Sequence, residues 1–548
     1  MKIPQFSFSA EFWKKLIIVI VVFIGLIIGL NIFLKSKIES QIQKTGQRFS
    51  KMEYSDLEVG FLNGKIQLKE LIVDWKADSL LGKHNLEKNI GLIAKSAAVD
   101  GLSWWDLLFK NNVSIDELKL EEPKVSIFKK NIGDDSFKKL FSNQEKNKGG
   151  KEIPLFKIEN IKIINGHFQS FVDNMKLIGL DSLQLTVNGL NFDKNNKNHP
   201  LKIADLDWSL RNLFYQKIGG LHTLKIGNIA GNKQNNNLII KELKLIPLAS
   251  KKQFSKYIEY KEARLDLQVS KISTTEFHWD SLLFSQKLLT DKMTIDRFKF
   301  LIFDDKNVPR CKTCYKPFPQ EVLLKSNLPI SVDSLFVMDG FIEYEHLVPE
   351  HTKAGKISFE NIQATLININ NIPEKIKEIP TTTLFAQTDV EGVGRLDLIT
   401  DFHLTDNLYR FSYRGDLRNF DLTTINSMVE FSARVSIKHG TVKQLTFEGE
   451  GNNKMGRGEM DFVYENLDIS LLTEDYQVGK KLLSGLVNGL LIKNNNPGKK
   501  GYRKGKMYAE RLKNRAIFHL WWQSILSGMK STMLPKVLLK DELKWEKD

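Results

Sequence analysis

The sequence is poor in cysteine and proline and lacks the common catalytic motifs. Two cysteines among 548 residues exclude a disulfide-rich scaffold and any site that needs four thiolates. Fourteen prolines are too few for a proline-rich linker protein. The patterns H-E-x-x-H, G-x-S-x-G and G-x-x-x-x-G-K-[ST] do not occur. We therefore expect a protein that is not an enzyme and that uses no cofactor or metal.

Apolar residues and positive charge are plentiful. Hydrophobic residues make up 42% of the chain and charged residues 26%, which excludes wholesale disorder. Lysine and arginine number 80 against 65 acidic residues, a net charge of +15 that favours anionic partners. Acidic residues separate the basic ones along most of the chain, and no recognition-helix motif is present. We expect no nucleic-acid partner.

One apolar run is long enough to cross a bilayer. Residues 16–34 read LIIVIVVFIGLIIGLNIFL, with Asn31 as the one polar side chain. As a helix this run spans roughly 28 Å, close to the hydrocarbon thickness, and Trp13 and Lys35 flank it as headgroup anchors. A cleaved signal peptide is the alternative, but the run is long and no A-x-A-like site follows it. Counting lysines does not decide the orientation.

Period-two alternation of apolar and polar residues dominates the chain from about Glu53 onward, which predicts β-strands with one apolar face. Runs of this kind occur at 183–187, 265–269, 330–332, 396–398, 435–437 and 445–447. Hairpin or bend signals separate such runs at Asn63-Gly64, Asn165-Gly166, Asn188-Gly189 and Asp339-Gly340. Their number favours antiparallel meanders over a parallel α/β fold.

Helical patterns are few and short. Two segments, 103–110 and 278–289, share a W-x-x-L-L-F core. Near the C-terminus, one helical face is apolar over 478–491, residues 499–515 are strongly basic, and an aromatic-rich amphipathic helix begins at Phe518. Such helices either lie on an anionic membrane surface or cap the end of the sheet. On the first interpretation, the membrane-surface residues are Lys499, Lys500, Arg503, Lys504, Trp521 and Trp522.

Cys311 and Cys314 form the sharpest local motif, C-x-x-C. A local disulfide, a pair of free thiols and a zinc site with His346 and His351 are the alternatives. The long gap between Cys314 and His346 disfavours a zinc finger, and no βαβ context supports a thioredoxin-like role. A disulfide is the expected state if the domain is periplasmic.

Several features together resemble the AsmA-like family of the Gram-negative envelope. These are YSDLEVGFLNGKIQLKELIV at 54–73, WWDLLF at 104–109, VSIDELKLEEPKVSI at 113–127, GEGNNKMGRGEMDFVYENL at 449–467, and Asn496-Pro-Gly before the basic stretch. The resemblance covers nearly the whole chain, although its motifs are patterns of apolar and turn residues.

The resemblance implies the location and the domain order. We expect a bacterial inner-membrane protein with one span and the bulk of the chain in the periplasm. The segments are a cytoplasmic tail (1–15), the transmembrane anchor (16–34), a juxtamembrane helix (35–52), a periplasmic β-groove domain (53–476), and C-terminal amphipathic helices with a basic segment (477–548). The expected fold is mainly β: an elongated, curved antiparallel sheet with short helices at its ends.

The expected function follows from an apolar groove. About 425 residues could supply roughly 25 strands and a trough on the order of 120 Å long, which binds or conducts phospholipids between the two membranes and supports outer-membrane biogenesis. The alternatives are a closed core filled by its own side chains, and a periplasmic scaffold for envelope assembly factors or other outer-membrane partners. On alternation alone, the groove lining is Leu183, Leu185, Val187, Leu265, Leu267, Val269, Ile330 and Val332.

Overall fold

A computed structural model describes most of the chain beyond Met1–Ser50. The described residues are 51–60, 63–76, 88–110, 112–129, 155–193, 196, 200–349, 353–472, 493–499 and 501–534. They are mainly β, as the alternation predicts, and contain a few short helices. The predicted tail, anchor and helix over 478–491 lie outside these ranges.

Twenty-one strands are present in the described ranges, and several exceed fifteen residues. Their bounds are β1 Lys51–Glu53, β2 Asp56–Gly60, β3 Lys65–Lys76, β4 Lys88–Asp100, β5 Val113–Glu121, β6 Lys124–Lys129, β7 Leu155–Val172, β8 Met175–Asp193, β9 Leu201–Gln216, β10 His222–Asn232, β11 Asn237–Pro247, β12 Arg264–Phe277, β13 Leu288–Asp305, β14 Ile330–Leu347, β15 Ala354–Asn370, β16 Thr381–Val390, β17 Gly394–His403, β18 Phe411–Asp421, β19 Val435–Gly451, β20 Met455–Leu471 and β21 Gly505–Glu510.

The helices of the described ranges are short, with one exception of 17 residues. They are α1 Trp104–Phe109, α2 Lys251–Phe254, α3 Trp279–Ser285, α4 Pro319–Leu324, α5 Pro373–Glu378, α6 Asn426–Ala433 and α7 Ile517–Met533, with 3₁₀ turns at Ser255–Tyr257 and Leu422–Ile425. Both predicted W-x-x-L-L-F helices form, as α1 and α3, and the predicted aromatic helix is α7. None of the helices in the described ranges has the length and hydropathy that crossing a bilayer requires.

The described chain forms two compact units. The N-terminal unit contains the described residues up to Lys244 together with Ser273–Gln286. In it, β3 pairs with β2 and β4, and β7, β8, β9 and β10 follow as an antiparallel series. Strands β5 and β6 both pair antiparallel with β4 on one side and parallel with β7 on the other. Pro123 separates β5 from β6 because proline cannot donate to a strand ladder.

The C-terminal unit contains Leu245–Ile272 and the described residues from Lys287 onward. Strands β13 and β14 pair parallel. From β14 to β21 each strand then pairs antiparallel with the next. The basic stretch at 499–515, expected beside C-terminal amphipathic helices, therefore contributes a strand, β21, to this sheet.

The expectation of an antiparallel sheet is wrong in part, because the pairing is mixed: β13 pairs parallel with β14, and β5 and β6 pair parallel with β7. The expectation depended mainly on the Asn-Gly and Asp-Gly signals for hairpins. One of the four lies in a turn between strands: Asn63-Gly64 connects β2 and β3. Asn165, Gly189 and Asp339 instead sit inside β7, β8 and β14, each with a positive φ. The ladders shift register beside Gly166 and Gly340, so these residues form β-bulges in long strands. A residue with a left-handed backbone conformation can therefore occur in a β-bulge as well as in a hairpin turn.

Candidate functional site

The most extensive candidate surface in the N-terminal unit is an apolar sheet face built from in-register rows. Each row takes one residue from each of β2, β3, β4, β5, β7, β8 and β9. The first row is Val59, Ile66, Val99, Leu118, Ile161, Val187 and Leu206, and the second is Leu57, Leu68, Ala97, Leu120, Ile163, Leu185 and Trp208. Most of these side chains are buried, and Val59 and Leu120 are half-buried.

A third row lies three residues from the first row along each strand. Because side chains alternate between the two faces, an odd spacing would normally place this row on the opposite face. It is Ile115, Ile158, Leu190 and Ile203, and all four side chains are buried. Between the first and third rows, one residue of each strand is left out of the register of paired residues. On β8 that residue is Gly189, with φ +63°. A Cβ at Gly189 would lie 2.7 Å from the Cβ of Ala204. The extra residue restores the phase, so the apolar face continues.

The opposite face of the same strands is polar. Lys65 and Lys69 bridge to Glu58 and Asp56 between β3 and β2, and Lys162 bridges to Glu117 between β7 and β5. These side chains are one quarter to one half exposed, so the pairs add little to stability. They mark this face as solvated, and the two faces of the sheet differ as the alternation predicts.

The eight predicted lining residues fall on three strands. Leu183, Leu185 and Val187 lie on β8, Leu265, Leu267 and Val269 on β12, and Ile330 and Val332 on β14. Leu185, Val187, Val269 and Val332 are buried, and the other four are half-buried. Leu185 and Val187 belong to the rows of the N-terminal unit, and Leu183 lies two residues before Leu185 on the same strand. The other five belong to the C-terminal unit. Their role in holding a ligand stays a prediction.

The apolar face of the C-terminal unit is a packed core where α7 lies on β20 and β21. Phe411, Phe462 and Met507 are fully buried in it. Small residues allow the close approach: a Cβ at Gly505 would lie 2.8 Å from the carbonyl oxygen of Gly528, and one at Gly456 would lie 2.7 Å from Oγ of Ser524. This part of the face is therefore covered by the chain itself.

Hydroxyl groups of α7 also bond the edge of the sheet. Oγ of Ser531 accepts from the backbone N–H of Lys506 at 2.7 Å, and Oγ of Ser527 accepts from that of Tyr508 at 2.7 Å. Both N–H groups lie on β21, whose one strand partner in the described ranges is β20. An edge strand with unpaired N–H groups invites pairing with another chain. Helix α7 satisfies two of those groups.

The predicted membrane-surface residues have other contacts in this structure. Trp521 packs against Phe411 and Tyr413, with ring centroids 6.1 and 6.2 Å apart, and Trp522 packs against the same core. Arg503 donates to the carbonyl oxygen of Leu534 at 2.6 Å, and Lys504 pairs with Glu459 at 2.5 Å. Lys499 is exposed, and Lys500 lies outside the described residues. Their membrane role is untested; the placement of α7 matches the sheet-capping interpretation.

Cys311 and Cys314 are joined by a disulfide. The loop that they close contacts the turn before α7: the side-chain amide of Asn514 donates to the carbonyl oxygen of Cys311 at 3.0 Å. The backbone N–H of Lys316 donates to the carbonyl oxygen of Lys513 at 2.8 Å. The guanidinium of Arg511 bonds three carbonyl oxygens in this region and lies 4.5 Å from the ring of Phe318. The disulfide loop thus braces the start of α7.

The outward face of β17–β21 carries a shallow, open depression of about 730 Å³. Its lining is charged and includes Arg414, Asp416, Glu448, Glu459 and Lys504. Arg418 pairs with Asp416 at its rim and Lys504 pairs with Glu459. We assign no ligand to this solvated surface.

Within the described ranges, no group of three or more His, Cys, Asp or Glu side chains is placed to hold a metal ion. Comparison of the sequence with protein-family profiles and with curated proteins finds no match.

Proposed function

We propose that the protein is an inner-membrane-anchored envelope protein whose apolar sheet faces bind or conduct phospholipids between the inner and outer membranes. The observation that supports this most is the set of in-register apolar rows across seven strands of the N-terminal unit. The apolar face continues beyond the first row because one extra residue per strand, Gly189 on β8, restores the phase of the alternation. In this proposal acyl chains reach the face from its half-buried positions, such as Val59 and Leu120, and headgroups stay in water.

Burial of acyl chains supplies an adequate driving force. Each methylene that leaves water contributes about 0.8 kcal/mol, so a long chain gains roughly 10 kcal/mol. The gain has no direction and is similar at successive strands, so a chain could move across them without a catalytic group. The apolar run at 16–34 would hold the protein in the membrane from which lipid enters, and support of outer-membrane biogenesis would follow.

The test is mass spectrometry of lipids that the full chain retains after purification in a mild detergent and gentle detergent removal. Leu183→Asp on β8 and Leu267→Asp on β12 each place a carboxylate at a half-buried apolar position, one in each unit, and Gln268→Asp at an exposed position is the control. We expect stoichiometric phospholipid on the wild type and on the control, and a strong loss on Leu183→Asp and Leu267→Asp. Retention by both folded leucine variants equal to that of the control would contradict the proposal.

A non-lipid scaffold for envelope assembly factors is the second candidate function. The packed core beneath α7 favours it, because that part of the apolar face has no room for a lipid. Folded protein that carries no lipid but copurifies with a stoichiometric envelope protein would support the scaffold.

A further inference from the structure

A cluster of basic side chains in the C-terminal unit surrounds the carboxylate of Asp304. Nζ of Lys261 lies 3.0 Å from Oδ2 of Asp304, and the Tyr344 hydroxyl donates to the same oxygen at 3.1 Å. A guanidinium nitrogen of Arg310 lies 3.9 Å from it. The side chain of Lys261 is 4% exposed and that of Asp304 is 15% exposed, so these charges are largely removed from water.

Two further cations in this cluster, Lys306 and Arg515, carry nitrogens without a partner in the described ranges. Lys306 has no ion pair or hydrogen bond from Nζ in the described ranges, and burial and the charges of Lys261, Arg515 and Arg310 lower its pKa to about 8. The buried Nε of Arg515 has no hydrogen-bond partner in those ranges either. The nearby carboxylate of Asp305 accepts from Ser255 and Asn307. Four cations thus face two carboxylates.

The start of α7 adds to this positive field. Ala516 is the N-cap residue and cannot accept from the first N–H groups of the 17-residue helix. A helix N-terminus carries a partial positive charge and favours an anion. His519, in the first turn, has its pKa lowered to about 4 by burial and by the charges of Arg515, Arg310 and Arg511. Burying this excess of positive charge is costly unless an anion offsets it.

We propose that Lys306, Arg310 and Arg515, at the uncapped start of α7, form a binding site for a phosphate group. Arginine and lysine are the residues that recognise phosphate oxygens, arginine through paired N–H groups and lysine as a point charge. The disulfide loop Cys311–Cys314 holds the Arg515 segment against the cluster through Asn514. This proposal does not depend on the proposed lipid function, because a soluble phosphate could also occupy the site. If the bound phosphate belongs to a phospholipid headgroup, the site would contribute to lipid binding.

The experiment uses the full chain in a mild non-ionic detergent and two probes: inorganic phosphate and dihexanoylphosphatidylglycerol. Binding is measured by calorimetry and by the shift in Tm, since a ligand specific to the folded state raises Tm. The variants are Arg515→Gln and Lys306→Gln. Lys513→Gln is the matched control because Lys513 is exposed and its packing contact uses the backbone carbonyl.

We expect the wild type and Lys513→Gln to bind at least one probe, and Arg515→Gln and Lys306→Gln to bind it about tenfold more weakly or worse. Tighter binding of inorganic phosphate would identify a soluble phosphate as the source, and tighter binding of the phospholipid would identify a headgroup. Without either probe, Lys306→Gln should have a higher Tm than the wild type, because a buried unpaired charge is removed.

Three results would overturn the site: neither probe binds folded wild-type protein, all variants bind alike, or Lys513→Gln weakens binding as much as Arg515→Gln. The outcome is separable from that of the lipid proposal. Leu267→Asp leaves the cation cluster intact, and Arg515→Gln leaves the apolar faces intact. Lipid retention that survives Arg515→Gln together with absent phosphate binding would refute this site alone.

Discussion

The docking of α7 on β21 gives the sharpest stability prediction. Replacing Ser527 or Ser531 with alanine removes the oxygen that accepts from Tyr508 or Lys506. An N–H group left without its partner under a packed helix costs about 1–3 kcal/mol. Since 1.4 kcal/mol corresponds to a factor of ten, amide exchange in β21 should accelerate roughly tenfold or more in each variant.

Hydrogen exchange measured by mass spectrometry on peptides covering β21 is the assay. Ser524→Ala is the control, because Ser524 is buried on the same face of α7 and its hydroxyl bonds no amide of β21 in the described structure. We expect faster exchange in Ser527→Ala and Ser531→Ala, and nearly unchanged exchange in the control. Unchanged exchange in all three would refute the docking. It would also restore the interpretation of α7 as a helix on the membrane surface.

Three further predictions concern buried groups. Asn496→Ala should lower the free energy of chemical unfolding by about 3 kcal/mol or more, because the buried side-chain amide of Asn496 bonds the backbone of Phe462 and Arg503. Asn494→Ala, at an exposed position, should lower it by less than about 0.5 kcal/mol. Equal effects of the two substitutions would contradict this prediction. Gly231→Ala should lower Tm, since its Cβ would meet Trp279 at 2.5 Å; an unchanged Tm would show that the ring moves freely. Burial lowers the pKa of His346 to about 4 from 6.5, so the folded state binds a proton at this residue less readily than the unfolded state does. The free energy of unfolding should therefore be unaffected by His346 above pH 6.5 and should decrease by roughly 3 kcal/mol as the pH falls toward 4. His346→Gln should lose this decline in pH-dependent unfolding, and an identical pH profile would count against it.

The sequence pattern was most informative where burial alone determines it. Alternation located strands because a half-buried strand repeats every two residues. The W-x-x-L-L-F segments became helices in both places. The Asn-Gly and Asp-Gly signals misled at Asn165 and Asp339, because the left-handed conformation they favour occurs in bulges as well as in hairpins.

Pairing across long sequence distances could not be predicted. Nothing in β5 or β13 distinguishes a strand that will pair parallel from one that will pair antiparallel. The short strand β21 was hidden in a basic stretch, where its apolar residues Met507 and Ala509 give too brief an alternation. The hydrogen bonds of Ser527 and Ser531 depend on the position of that strand, so the sequence did not predict them either.

The basic cluster was missed for a similar reason. Lys261, Lys306, Arg310 and Arg515 come from three separate parts of the chain, and each lies among ordinary charged neighbours. No spacing rule links them, because the sheet of the C-terminal unit brings them together. The overall charge of +15 suggested an anionic partner without locating where it would bind.

Site-specific photocrosslinking to lipid in living cells tests the central claim most directly. A benzophenone side chain is placed at Leu183 on β8, at Leu267 on β12, or at the exposed Gln268 beside it. If the apolar faces hold acyl chains, phospholipid adducts form at Leu183 and Leu267 and are much weaker at Gln268. Equal adducts at all three positions, or none at either leucine in a folded and membrane-localised protein, would contradict the proposed function.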